Sequence, residues 1–290
     1  MTTRCILAAV GQFPRDEAVL TRAHEIATTL RAALVVAHVV DLPGGDADLG
    51  RNDCLAGQAA FAMRDRILVA LAGLGAGAED VDIRIKAGSP ALGLIDICQD
   101  LRPGLVVMRA HQKARISEKL LGSTTERMIA AHQAPVLVLK RPARRPYQRA
   151  LVATNGEDNA HEAVSLVAAL LPEVRLQLVQ AVHIAPQLKQ AMLRIGTYQD
   201  ALETHREVLR RQADEHLAAL AAKAPRRVSR RILTGDPAVA LSRASRSPKV
   251  DLIAVGPGRT SLIRRAFIGS VTRRLLRDAD CDILICRTES

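Results

Sequence analysis

IRIKAGSPALGL, residues 83–94, and RRILTGDPAVAL, residues 230–241, are one motif written twice. Gly88 lies over Gly235 and Pro90 over Pro237, an offset of 147. Each copy runs from an extended segment through a glycine to a helix start. Ser89 or Asp236 can offer a side-chain oxygen to an orphan amide, and the proline that follows has no amide to leave unpaired. A strand feeding directly into a helix, twice in one chain, is the mark of a layered α/β fold built by duplication.

Working outward, the same offset carries GLVVMRAH at Gly104 onto DLIAVGPG at Asp251. It also carries Gly122-Ser123 onto Gly269-Ser270, and APVLVLKR at Ala134 onto CDILICRT at Cys281. Near the starts the offset is 145. There Val10-Gly11 of CILAAVG lies over Asn155-Gly156 of ALVATNG, and His38 over His183. Two tandem domains are expected, residues 1–143 and 147–290. They are joined by KRPARRPYQR (140–149), where two prolines and four arginines interrupt the apolar pattern.

Within each copy the apolar runs are short and continuous, as in strands buried on both faces of a parallel sheet. In the first copy they are Ile6 to Val10, Ala33 to Val40, Val81 to Lys86, Leu105 to Met108 and Val136 to Lys140. Helical spacing fills the gaps over Glu17–Leu30, Gly57–Leu74, Pro90–Leu101 and Ser123–His132. Five strands alternating with helices predict a doubly wound parallel sheet in each copy, flavodoxin-like or Rossmann-like. The longest insertion, Gln187 to Ala222, reads as one or two charged helices. Its apolar stripe, Met192, Ile195, Leu202, Leu209, Leu217 and Leu220, faces the core, or in part a second copy in a homodimer.

The 290 residues are 48% apolar and 24% charged, enough for a core in each domain. No run approaches the roughly 18 apolar residues of a membrane span. The start, MTTRCILAAV, lacks a signal peptide's basic segment and cleavage site, so a cytoplasmic, non-membrane protein is expected. The five cysteines are scattered without ligand spacing, which points to buried thiols and no metal site. The net charge of +11 invites nucleic acid, but five aromatics and no Trp leave no base-stacking platform, and no helix-turn-helix, zinc-finger or RNP-type pattern appears.

Several motifs read as structure. His38 and His183 have no accompanying catalytic carboxylate or serine, and a satisfied hydrogen bond near a strand end accounts for them. GLGAG at 73–77 follows a helix and lacks the third glycine of a dinucleotide loop, so it reads as a helix C-terminus and turn. No GxxxxGK[ST] occurs. GPGRTSLIRRAFIGSVTRRLL, residues 256–276, is different: a strand ends in glycines, and a Gly-Ser pair starts the next helix. Amides there can converge on an anion. In the first copy Ser123-Thr124-Thr125-Glu126 is a capping box that satisfies itself. In the second, Arg273 and Arg274 stand against the helix dipole, a conflict that either a bound phosphate or outward-pointing side chains would relieve.

At these residues the chain resembles the universal stress proteins, in tandem form. Their signature is glycine, two residues, glycine, nine residues, then glycine and serine or threonine, before a strand of the PVLVV type. Here Gly256 is followed by Arg259 where the second glycine belongs, then by nine residues to Gly269-Ser270. The resemblance covers nearly the whole chain in two passes. It implies two α/β domains packed about a pseudo-twofold axis, an intramolecular pseudo-dimer.

In ATP-binding members an aspartate ending the first strand contacts the adenine end, and the glycine loop with the following Gly-Ser holds ribose and phosphates. The matching positions here are Val10 in the first copy and Asn155 in the second. The first copy also has Arg109 and Gln112 at the loop glycines, so only Gly122, Ser123 and Thr124 match. Nucleotide binding is therefore expected in the second copy, at Asn155, Gly256, Gly258, Arg259, Gly269, Ser270, Val271 and Thr272, with ATP or another adenine nucleotide as ligand. An anion would sit on the amides of Gly269, Ser270 and Val271, with Arg259 as a charged clamp. The implied role is stress survival through ligand-dependent regulation. Two alternatives stand beside it: a slow ATPase, for which no acidic residue lies between Arg259 and Arg277, and a scaffold whose vestigial pockets take an apolar ligand or a partner protein.

Overall fold

The computed structural model describes residues 5–42, 54–77, 79–110, 123–131, 134–156, 160–185, 199–256 and 269–286, together with positions 49, 190 and 194. They fall into two compact units that divide between Pro146 and Tyr147.

In the first unit β1 (Cys5–Ala9), β2 (Ala33–Asp41), β3 (Val81–Gly88), β4 (Leu105–Arg109) and β5 (Val136–Leu139) pair in the order β3-β2-β1-β4-β5. Every ladder is parallel. The crossovers are α1 (Glu17–Leu30), α2 (Leu55–Gly73), α3 (Pro90–Leu101) and α4 (Ser123–Ala131). The continuous apolar runs form the middle of the layer: Ile6, Leu7 and Ala8 on β1 and Val106 and Val107 on β4 are fully buried. Helix α1 covers them with Val19, Leu20, Ala23, Ile26 and Ala27, an apolar stripe of helical period. It stops at Arg31, whose left-handed backbone (φ 51°) turns its amide back onto Thr28.

The second unit repeats the plan. Strands β6 (Arg149–Thr154), β7 (Arg175–Val182), β8 (Ser229–Thr234), β9 (Leu252–Val255) and β10 (Asp282–Ile285) pair in the order β8-β7-β6-β9-β10, all parallel. Helices α5 (Ala160–Leu170), α6 (Gln199–Lys223), α7 (Pro237–Ser245) and α8 (Ser270–Asp278) connect them. Helix α6 is the charged insertion: Leu202, Ala213, Leu217 and Leu220 are buried, while Met192 and Ile195 lie outside the described residues.

The repeated strand-to-helix junction forms in both copies. Gly88 and Gly235 take φ of 117° and 111°, which a side chain would oppose, and a proline opens each helix. The copies differ at the cap. The Asp236 carboxylate accepts the Val239 amide at 3.1 Å, whereas Ser89 makes no side-chain cap. The joining segment is tied at both ends. Buried Arg22 pairs with Glu25 at 2.5 Å and donates to the Arg145 carbonyl at 3.0 Å, and the Tyr147 hydroxyl donates to Asp282 at 2.6 Å in the core of the second unit.

Candidate functional site

A parallel sheet that winds first one way and then the other leaves a crevice at the carboxyl ends of the two strands where direction reverses. In the first unit these are β1 and β4, and in the second β6 and β9. The chain beyond Thr154 and beyond Val255 forms the second mouth, which brings Asn155 and Gly256 to the same edge. Helix α8, which follows β9, starts at that same edge because a crossover helix runs antiparallel to its strands.

On its β1 side the first mouth is closed by the chain itself. Val10, just past β1, is 5% exposed, and its amide is paired with Ala37. The next two amides, Gly11 and Gln12, both donate to Asp16 Oδ2 at 2.7 Å. Asp16 is 1% exposed, so a buried carboxylate sits on the loop amides that an incoming anion would use. His38 completes the closure. Its Nδ1 lies 2.9 Å from the Val10 carbonyl, which can only accept, so Nδ1 carries the proton. Burial pushes the imidazole below its ordinary value, against the upward pull of that carbonyl and of the Asp16 charge.

Among the described residues the second mouth is polar. Asn155, Gly269 and Ser270 are exposed, and Gly256, Val271 and Thr272 are half-buried. Among the described residues no atom lies within 4 Å of where a Cβ on Gly256 or Gly269 would stand. Gly269 is the N-cap of α8 and supplies no side chain to its first-turn amides. Behind Asn155 the Thr154 hydroxyl oxygen accepts the Gly156 amide at 3.1 Å and lies 3.3 Å from His216 Nε2 on α6. Gln180 of β7 stands beside Thr154 in the ladder, and its Oε1 is shut off from solvent with no hydrogen-bond partner among the described residues. Gly258 and Arg259 lie outside the described residues.

The sequence model of the universal stress protein family matches residues 2–140 and again 146–287. The chain belongs to the universal stress protein family, as a tandem of two domains. A relative in Synechocystis sp., universal stress protein Slr1230, is 25% identical over 217 residues, 73% of this chain and 67% of its own length. The crystal structure of a universal stress protein from Archaeoglobus fulgidus covers 99% of both chains with a TM-score of 0.67 at 15% identity, a likeness of fold. A further solved universal stress protein, in complex with cAMP, matches 50% of this chain and 100% of its own at 26% identity and a TM-score of 0.32.

The strand registers of this tandem universal stress protein revise the equivalence of its two copies. Ile6 lies beside Leu105 on β4, and Ala150 lies beside Leu252 on β9. Leu105 and Leu252 hold equivalent places, so Ile6 corresponds to Ala150 and, counting along the strand, Val10 to Thr154. Ala9 is paired with Ala37 and Ala153 with Val179, so His38 corresponds to Gln180. Asn155 therefore lies one residue beyond the equivalent of Val10, and His183 three beyond the equivalent of His38, two of those three because the second copy is two residues shorter between its first two strands. Exposed His183 is thus not the partner of buried His38.

The arginines of α8 also resolve. Arg273 and Arg274 point outward, and Arg274 pairs with Asp278 one turn along at 3.4 Å. The conflict with the helix dipole is relieved within the helix, with no bound phosphate required. Sequence reasoning missed Asp16, Thr154, Gln180 and His216. Asp16 carries the only signal, as an acid ahead of α1, and that signal reads as an ordinary cap.

Proposed function

We propose that this universal stress protein is a regulatory binding protein whose second domain takes a phosphate-bearing small molecule, an adenine nucleotide by preference, while its first domain takes none. The reading rests on the contrast between the mouths. Asp16 already satisfies the Gly11 and Gln12 amides of the first, whereas in the second no described atom crowds Gly256 or Gly269 and the Gly269 cap offers the start of α8 no side chain. An anion on those α8 amides would meet the positive end of the helix dipole. A nucleotide laid across the edge would direct its base toward Thr154, Gln180 and His216, on the opposite side of the sheet from α8. Ligand occupancy, rather than turnover, would be the signal passed on during stress.

The test is to denature the full chain after purification and identify by mass spectrometry any small molecule released, then to titrate the emptied, refolded protein with AMP, ATP and inorganic phosphate. Release or binding of an adenine nucleotide supports the reading. Failure of all three to bind at millimolar concentration overturns it.

A further inference from the structure

We propose that Gln180 is the base-reading residue of the second domain, recognising an edge that presents a donor beside an acceptor, as adenine does with its exocyclic amine and adjacent ring nitrogen. The inference rests on the nucleotide reading above and adds to it the group that selects the base.

Gln180 is one step across the sheet from Thr154, so both side chains leave the same face near the carboxyl end of β6. Its Nε2 lies 3.2 Å from the point where a Cβ on Gly156 would stand. Gly156 has φ 91° and no side chain, which leaves room for the amide over the turn at the mouth. Among the described residues the Oε1 end has no donor, although it is cut off from water. A desolvated acceptor without a partner is the exception in native structures and calls for a cause. The terminal torsion of a glutamine is soft, and no hydrogen bond from a described residue holds Oε1, so rotation can turn the acceptor toward an incoming amine.

The surroundings of the amide are set. Thr154 Oγ1 is occupied by the Gly156 amide and lies against His216 of α6, which backs this corner of the mouth. In the first domain His38 holds the place of Gln180, and its ring closes inward on the Val10 carbonyl. The base-reading group is therefore confined to the second copy. A carboxamide offers one donor and one acceptor side by side, the complement that pairs Gln with adenine in other recognition settings.

Calorimetry on the full chain tests this with two ligands of equal charge: AMP and purine riboside 5′-phosphate, which lacks the exocyclic amine. AMP is expected to bind about tenfold more tightly, the equivalent of one neutral hydrogen bond. Gln180→Leu should remove that preference while leaving the affinity for inorganic phosphate unchanged. Gln180→Glu, with two acceptors and no donor, should weaken AMP and favour GMP, whose adjacent ring and exocyclic N–H groups suit a carboxylate. Equal binding of the two ligands by the natural protein, or a Leu variant that keeps the preference, overturns the role of Gln180 and leaves the nucleotide reading intact. A Leu variant that loses AMP and phosphate together also overturns it. If the natural protein binds neither nucleotide nor phosphate, the nucleotide reading falls and this inference with it.

Discussion

Replacing Asp16 by alanine removes the carboxylate that closes the β1 side of the first domain's mouth. Two amides, Gly11 and Gln12, donate to one oxygen at 2.7 Å, and each such bond to a charged group contributes about 1.5–3 kcal/mol. The other oxygen, Oδ1, is buried with no partner among the described residues and offsets part of that gain, so the net loss on Asp16→Ala is about 2–4 kcal/mol. Asp16→Asn keeps an oxygen in place and loses only the charge, for a cost of about 1–2 kcal/mol. Urea unfolding followed by circular dichroism reads the loss. Hydrogen exchange locates it, because the Gly11 and Gln12 amides should exchange faster while β4 and β5 keep their protection. An alanine variant as stable as the natural protein, with those two amides equally protected, would refute the claim that Asp16 is the internal ligand of this loop.

Tyr147→Phe strips a 2.6 Å hydroxyl bond from buried Asp282 and should destabilise the second unit by about 1.5–3 kcal/mol in the same unfolding assay. Gly93→Ala on α3 would place a methyl 2.9 Å from Val39 Cγ2 on β2, a branched side chain with little room to yield, and should cost about 1–3 kcal/mol by thermal melting. His38 sets an acid limit. Its folded pKa lies below the ordinary 6.5, so the unfolded chain binds the extra proton first. Its contribution is present in full above 6.5 and is lost as pH falls through 6.5 toward the folded value; pH-dependent unfolding of His38→Gln should lack that component.

The sheet was legible because buried parallel strands print as apolar runs: Ile6 to Val10 and Ala33 to Val40 each end within a residue of β1 and β2. The turn at GLGAG was legible too, since α2 stops at Gly73 and Gly75 takes φ 74°. Register was not. His38 and His183 align as letters, but only the ladders reveal that the second copy is shorter between β6 and β7 and that Gln180 holds the histidine's place. Asp16 was hidden for a related reason. An acid ahead of a helix reads as a cap for the turn that follows, yet this carboxylate reaches back to Gly11 and Gln12. His216 meets Thr154 only because α6 folds back over β7, a contact that no local spacing encodes.

The most direct test of the two-mouth account is the calorimetric stoichiometry of AMP on the full chain, measured for the natural protein and for Gly256→Val, which adds a side chain just past β9. The account predicts one AMP per chain in the natural protein and none in the variant; two per chain, or one that survives Gly256→Val, would contradict it.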